Sequence, residues 1–142
     1  MSQYDAQDVA RYVIERCHKI ARPISNLKLQ KILYFLQAAF LVEGRGPLFS
    51  NTMEAWDYGP VVPDVYHAYK MYGDTNIPVT ETGHYPFTKR DEELMDEYID
   101  RAAGYSAIKL VEISHSQAPW QDAYGQVDET ISPESIEKFF AQ

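Results

Sequence analysis

The chain has 142 residues, of which 45% are hydrophobic and 24% are charged, and its formal net charge is −8. This length and composition suit one globular domain over residues 1–142 and exclude a low-hydrophobicity disordered chain. The negative charge disfavours nonspecific attraction to nucleic-acid phosphates and favours encounter with a basic partner.

The first 44 residues predict two helices. Apolar residues spaced by three and four across residues 5–20 predict an amphipathic helix, which Pro23 ends. Ser25 can cap a second helix over residues 26–42, and Gly44 can end it. Because this second segment is apolar almost all round, we expect it to be the central helix of the domain.

The next part of the chain predicts a loop and then a third helix. Residues 45–61 mix Gly, Pro and aromatic residues without a helical period, which indicates a loop with one or two short strands around residues 53–56. Pro60 and Pro63 suit the opening turn of a helix, since the missing amide donor costs nothing there. Gly73 is expected to end this helix.

An irregular segment and a fourth helix follow. Residues 74–87 have no clear period, and residues 77–79 could form a short strand. Thr88 followed by Asp91 resembles a capping box with Asp in place of the usual Glu, and a helical apolar stripe runs from there to Gly104.

The C-terminal part predicts three more helices. Ser106 can cap a fifth helix, and Pro119 can begin a one-turn helix. Residues 131–134 combine a capping serine, a proline and a glutamate at the start of a last helix that ends near Phe140. The expected fold is mainly α: a single compact domain of six or seven helices around the central apolar helix, with a small strand-and-loop insert near residues 49–57.

Chemistry-bearing residues do not form a recognisable catalytic or metal-binding pattern. Cys17 lies on the apolar face of the first helix, where a free cysteine is typical of a buried core residue. The four histidines never fall at the spacing of three or four that presents two ligands from one helix, and the glycines form no phosphate-binding loop. We therefore expect no catalysis, no metal ion and no cofactor.

The expected compartment is the cytoplasm. One cysteine cannot form an intramolecular disulfide, and the first ten residues lack the basic start and apolar run of a signal peptide. The longest apolar stretch, residues 32–42, is well short of the ~20 residues that a membrane span needs. We expect no membrane association.

The charge is distributed unevenly. Residues 1–45 carry seven Lys and Arg against four Asp and Glu, whereas residues 46–142 carry six against seventeen. Much of the acidic excess falls on the fourth helix, at Asp91, Glu92, Glu93, Asp96, Glu97 and Asp100. These carboxylates form either an ordinary solvated helix face or an acidic contact surface for a basic protein.

Three stretches, in this order and spacing, resemble the Panacea-domain family, which includes the SocA-like antitoxins and the GepA-like phage-associated proteins. They are residues 25–34 (SNLKLQKILY), residues 54–66 (EAWDYGPVVPDVY) and residues 118–120 (APW). The middle stretch is the specific one, because it joins an aromatic-rich turn to Gly-Pro-Val-Val-Pro and a helix. The resemblance spans essentially the whole chain.

The resemblance implies an antitoxin of a type II-like toxin–antitoxin system. Such a protein neutralises a cognate toxin, usually encoded by the adjacent gene, through direct contact and without catalysis. Some SocA-like members also deliver the toxin to a protease, and these residues leave that adaptor role open. The alternative is a phage-associated regulatory protein that binds DNA or a host defence complex.

The DNA-binding alternative depends on the first two helices. They could form a helix-turn-helix with basic side chains along it, at Arg16, Lys19, Arg22, Lys28 and Lys31. A recognition helix must expose a polar face to the base edges, and the second helix is nearly all apolar beyond Lys31. Nucleic acid is therefore the less favoured partner.

The aromatic turn supplies the candidate partner-binding residues. They are Trp56, Tyr58, Gly59, Pro60, Val61 and Pro63. A rigid aromatic turn is a good platform for binding hot spots when it is exposed, and it packs the loop onto the second helix when it is buried. Trp120 more often fills a core than forms a contact, and its indole needs an acceptor when buried.

Overall fold

The computed structural model describes residues 3–141 of the chain. This range contains seven α-helices, one 3₁₀ helix (Lys70–Tyr72) and three short strands. The α-helices are α1 (Ala6–Lys19), α2 (Asn26–Val42), α3 (Pro63–Tyr69), α4 (Lys89–Ala103), α5 (Ala107–His115), α6 (Ala118–Ala123) and α7 (Pro133–Phe140). The strands are β1 (Met53–Trp56), β2 (Gly59–Val61) and β3 (Thr130–Ile131). The mainly α prediction is confirmed.

Helix α2 forms the centre of the fold. It packs against α1, α3, α4, α5 and α7 and against strand β2. Its apolar residues face these neighbours on several sides, and Leu29, Leu33 and Leu36 are fully buried. Such all-round burial explains why the sequence of this helix shows little amphipathic pattern.

The helix starts follow local capping chemistry, as the sequence predicts. The side-chain oxygens of Ser25, Thr88, Ser106 and Ser132 each accept a backbone N–H from the first turn of α2, α4, α5 and α7 respectively. At α4 only the threonine half of the capping box forms. The Asp91 carboxylate instead accepts hydrogen bonds from the Tyr4 hydroxyl at 2.6 Å and from Arg45 at 2.9 Å.

The strands form one antiparallel sheet in the order β2-β1-β3. Strand β1 occupies the predicted residues, and it forms a hairpin with β2 in which Trp56 pairs with Gly59. The assignment of Pro60 to the opening turn of the third helix was wrong. Pro60 lies in the edge strand β2, where a missing N–H is tolerated, and α3 begins at Pro63.

The predicted strand at residues 77–79 was also wrong. The Ile77 amide donates a hydrogen bond to the Ile24 carbonyl at 2.8 Å, and its side chain is buried, but the backbone continues as an irregular segment. The apolar pattern there reflects burial of a loop against α1 and the segment before α2, since His18 Nε2 of α1 also lies 2.8 Å from the Ile77 carbonyl oxygen. Strand β3, which the sequence did not suggest, has only two residues and forms because β1 offers a free edge.

Helix α4 packs against the basic helix α1 and neutralises part of its charge. Arg16 forms a two-pronged ion pair with Asp100, at 2.9 and 2.7 Å, and the Tyr12 hydroxyl donates to Asp96 at 2.7 Å. The basic and acidic parts of the sequence are therefore interleaved in space. Asp91 binds Tyr4 and Arg45, and Glu97 pairs with Arg101 within α4, so these two carboxylates, like Glu92 and Glu93, make none of these contacts with α1.

Candidate partner-binding site

The hairpin formed by β1 and β2 is held to α2 by a buried lysine. The Lys31 side chain is 0% exposed, and its amine donates a hydrogen bond to the Pro60 carbonyl at 2.8 Å. Gly59 allows this close approach, because it has a φ of +106° and a Cβ there would lie 2.6 Å from Lys31 Cε. The Leu-Lys-Leu-Gln-Lys and Gly-Pro-Val-Val-Pro motifs are thus two sides of one contact.

Burial also changes the chemistry of this lysine. Removal from water disfavours the charged amine and lowers the pKa of Lys31 to about 7. The amine can donate to the Pro60 carbonyl in either protonation state. Its hydrogen bond therefore holds the hairpin without requiring a buried charge above this pH.

Two buried side chains of α2, those of Gln30 and Asn26, hold the backbone that follows the hairpin and leads into α3. The Val62 amide donates to Gln30 Oε1 at 2.9 Å, and Gln30 Nε2 donates to Asn26 Oδ1 at 2.9 Å. Asn26 Nδ2 in turn donates to the Tyr66 carbonyl at 3.1 Å. Gln30 thus satisfies the backbone amide of Val62, which precedes α3, and Asn26 connects the same network to the backbone of α3.

The tip of the hairpin is fixed from the other side by α5 and α6. Trp120 Nε1 donates to the Trp56 carbonyl at 2.8 Å, so the indole has the acceptor that a buried tryptophan needs. The Trp120 ring is stacked between the rings of His115 and Tyr124, with centroid distances of 4.0 and 4.5 Å. The Tyr124 hydroxyl also donates to the Asp57 carboxylate.

An open groove of about 600 Å³ lies beside the supported hairpin. It runs between the start of α2, the hairpin tip and the end of α3. Its apolar and aromatic lining includes Leu27, Trp56, Tyr58, Val61 and Tyr66, and its charged lining consists of Asp57, Lys70, Asp74 and Glu129. Aromatic side chains and a few charged groups thus meet on one concave surface, which is the mixture typical of binding sites.

The structure divides the predicted partner-binding residues into two groups. Tyr58 is 67% exposed and Trp56 is half-buried, and both line the groove. Gly59, Pro60 and Val61 are buried, although Val61 forms part of the groove floor. Pro63 is half-buried at the first position of α3. The turn therefore has both an exposed side and a packed side.

Sequence reasoning missed several residues of the groove. Tyr66 shares the helical spacing of α3, which could have placed it near the turn. Asp74 and Glu129 come from irregular segments after α3 and before β3, and only the tertiary structure brings them to the hairpin. No local signal in the sequence indicates that proximity.

Cys17 lies apart from the groove in the core. Its side chain is 0% exposed, and burial raises the pKa of the thiol to about 11. Within residues 3–141, no group of three or more His, Cys, Asp or Glu side chains is arranged to hold a metal ion. No helix in the described part of the chain is long and apolar enough to cross a membrane.

Most of the basic residues considered for DNA contact make internal interactions. Lys31 is buried under the hairpin, and Arg16 is paired with Asp100. Lys28 donates a hydrogen bond to the Ala103 carbonyl at 2.9 Å at the end of α4. These contacts use the cations that a helix-turn-helix would have to direct toward phosphates.

Comparison with known proteins identifies the family. The model of the family described as antitoxin SocA-like, Panacea domain, matches residues 29–121, a range that contains Lys31, the hairpin and Trp120. The chain is 34% identical over 128 residues to antitoxin SocA of Caulobacter vibrioides (strain NA1000 / CB15N), in an alignment that covers 82% of this chain and 68% of that protein. No solved structure matches the chain. The chain belongs to the SocA-like, Panacea-domain antitoxin family.

Proposed function

We propose that this chain neutralises a toxin protein by binding it directly, that the toxin is encoded by the adjacent gene, and that the chain itself catalyses no reaction. Membership of the SocA-like family supports the antitoxin role. The observation that carries the direct-contact proposal is the aromatic groove, most of whose lining lies within the residues that the family model matches.

The groove has the physical properties of a binding hot spot. Tyr58 and Trp56 offer large aromatic surface, and the backbone that presents them is fixed by Lys31 on one side and Trp120 on the other. A rigid surface loses little conformational entropy on binding, so more of its contact energy is available as affinity. Three carboxylates against one ammonium also favour a basic partner surface.

The burial and the raised pKa of the single thiol, Cys17, support the proposal that the chain catalyses no reaction. A Cys17 thiol with a raised pKa is neutral at physiological pH, and its burial keeps a substrate away from it. The contact proposal needs no nucleophile, and inhibition by occupation of the toxin surface accounts for the antitoxin role.

Calorimetric titration with the purified toxin of the adjacent gene tests this proposal. We expect Tyr58→Ala and Trp56→Ala each to weaken toxin binding by about thirtyfold or more, which corresponds to roughly 2 kcal/mol. Tyr105→Ala is the matched control, because Tyr105 is 48% exposed and lines a different, smaller groove between α4 and α5. It should bind like the parent protein.

Thermal melts of each variant show whether weaker binding comes from loss of a contact with the toxin or from loss of folding stability. Tyr58 is largely exposed, so its truncation should leave the melting temperature nearly unchanged. If both groove variants bind the toxin with parental affinity, the contact surface lies elsewhere. If they bind weakly only because they unfold early, the turn serves packing alone.

A further inference from the structure

Two aromatic rings meet at a wide angle inside the groove. The centroids of Trp56 and Tyr66 are 5.0 Å apart, and the ring planes are inclined by 69°. Both residues are half-buried and line the groove. The Trp56 indole N–H is bound to Glu54 Oε1 at 2.9 Å, which fixes the orientation of this ring. We call this pair the aromatic corner, and a ring face that borders the groove can attract a cation.

The carboxylates around this corner have no cationic partner of their own. Asp57, Asp74 and Glu129 line the groove together with a single ammonium, that of Lys70. Along residues 3–141 none of the three carboxylates forms a salt bridge. The Asp57 carboxylate accepts the Tyr124 hydroxyl and is thereby held at the hairpin tip. A cation in the groove would therefore meet a negative surface.

We propose that the groove receives an arginine side chain of the toxin, with its guanidinium against Trp56 and Tyr66 and its N–H groups directed to the surrounding carboxylates. This inference rests on the proposed function and names the chemistry of the contact. A volume of about 600 Å³ leaves room for the backbone that carries the arginine, which Tyr58 would flank at the rim.

Arginine fits this site better than lysine because of its shape. A planar guanidinium stacks on aromatic rings and presents several N–H donors at fixed angles, so it can meet a ring and a carboxylate at once. An ammonium is a compact, strongly hydrated charge and loses more hydration in an aromatic corner. A purely apolar side chain would leave the carboxylates at the rim without a partner.

The direct test is a nuclear magnetic resonance titration of the full chain with N-acetyl-arginine amide. The indole N–H signal of Trp56 is identified by its loss in Trp56→Phe, since Trp120 is the only other tryptophan. We expect a saturable shift of this signal at millimolar concentrations, and at least tenfold weaker binding of N-acetyl-citrulline amide, which has nearly the same shape but no charge.

Two substitutions check that the rim carboxylates contribute. Asp74→Asn should weaken binding of the arginine amide about threefold or more, because it removes one negative charge from the groove. Glu93→Gln is the matched control, since Glu93 is an exposed carboxylate of α4 that does not line this groove. It should leave the affinity unchanged.

The outcomes separate this inference from the proposed function. Equal binding of the arginine and citrulline amides, absence of a saturable shift, or tighter binding of N-acetyl-lysine amide would each overturn the arginine assignment. If toxin binding still depends on Tyr58 and Trp56 in that case, the proposed function stands and the groove recognises the toxin by other chemistry. If the arginine amide binds but toxin affinity is insensitive to both variants, the toxin contacts another surface, and the assignment of a toxin arginine to this groove is overturned.

Discussion

Lys31 shows how one residue can serve the site without touching a partner. It has no exposed surface, and its amine reaches the carbonyl of Pro60, 29 positions away, beneath the exposed aromatic turn. Tyr58 lies on the opposite side of the same turn and is largely exposed. The motif residues therefore divide into those that support the turn and those that a partner can reach.

The buried amine predicts a pH dependence of stability. The pKa of Lys31 falls from 10.5 to about 7 on burial, so between these values the unfolded chain holds one more proton than the folded chain. The free energy of unfolding must then rise as the pH increases through this window, by up to about 1.4 kcal/mol per pH unit. Urea unfolding of the wild type and Lys31→Met between pH 7 and 10 measures this effect.

Comparison of the wild type with Lys31→Met isolates the contribution of the lysine to the pH dependence of stability, because the other titrating groups are common to both proteins. The difference between their free energies of unfolding should grow in favour of the wild type as the pH rises. Parallel pH curves would show that the lysine titrates equally in the folded and unfolded chains, and would contradict this effect of its burial.

At the scale of elements, the hairpin is positioned by close packing against α2 and α5. A Cβ on Gly59 would lie 2.6 Å from Lys31 Cε and 2.8 Å from Ser114 Oγ, and the backbone at Gly59 has a φ of +106°. We expect Gly59→Ala to lower the free energy of unfolding by roughly 2–4 kcal/mol, because backbone strain and overpacking act together. Urea unfolding provides the measurement.

Gly125→Ala is the control for Gly59→Ala. Gly125 also has a positive φ, +80°, but no atom lies within 4 Å of the place that a Cβ would occupy. This variant should therefore lose only about 1 kcal/mol, from backbone strain alone. Equal losses in the two variants would mean that the contact with Lys31 and Ser114 does not constrain the hairpin.

The elements that sequence reasoning placed well are those with local causes. Ser25 and Ser106 cap helices through bonds to amides three residues later, and α2 is recognisable from its own composition. The elements it misplaced depend on distant partners. Pro60 joins β2 because β1 is there to pair with it, and Ile77 is buried because Ile24 lies beside it.

In the candidate site, too, the residues with a local signal in the sequence could be predicted, and those that depend on distant partners could not. Trp56 and Tyr58 stand out in the sequence as an aromatic turn next to Gly and Pro, so their presence in a contact surface could be hypothesised. The support from Lys31 and the carboxylates of Asp74 and Glu129 arise only after folding. Resemblance to a family located the motif, and only the structure explains why its two parts occur together.

For the whole molecule, the charge split in the sequence does not become two separate surfaces. Arg16 and Asp100 join α1 to α4, which removes part of the acidic face from any role in attracting a partner. Glu92 and Glu93 stay outside that contact, so a role for them in speeding toxin association stays a prediction. The groove carboxylates, at Asp57, Asp74 and Glu129, lie closer to the proposed contact.

Hydrogen exchange of the chain, alone and in complex with the toxin of the adjacent gene, tests direct neutralisation through the groove most directly. We expect slower amide exchange at residues 56–58 and 70–74, which border the groove, and unchanged exchange at residues 105–108, where α5 begins. Failure to form a complex, or slowing confined to residues outside the groove, would contradict neutralisation by this surface.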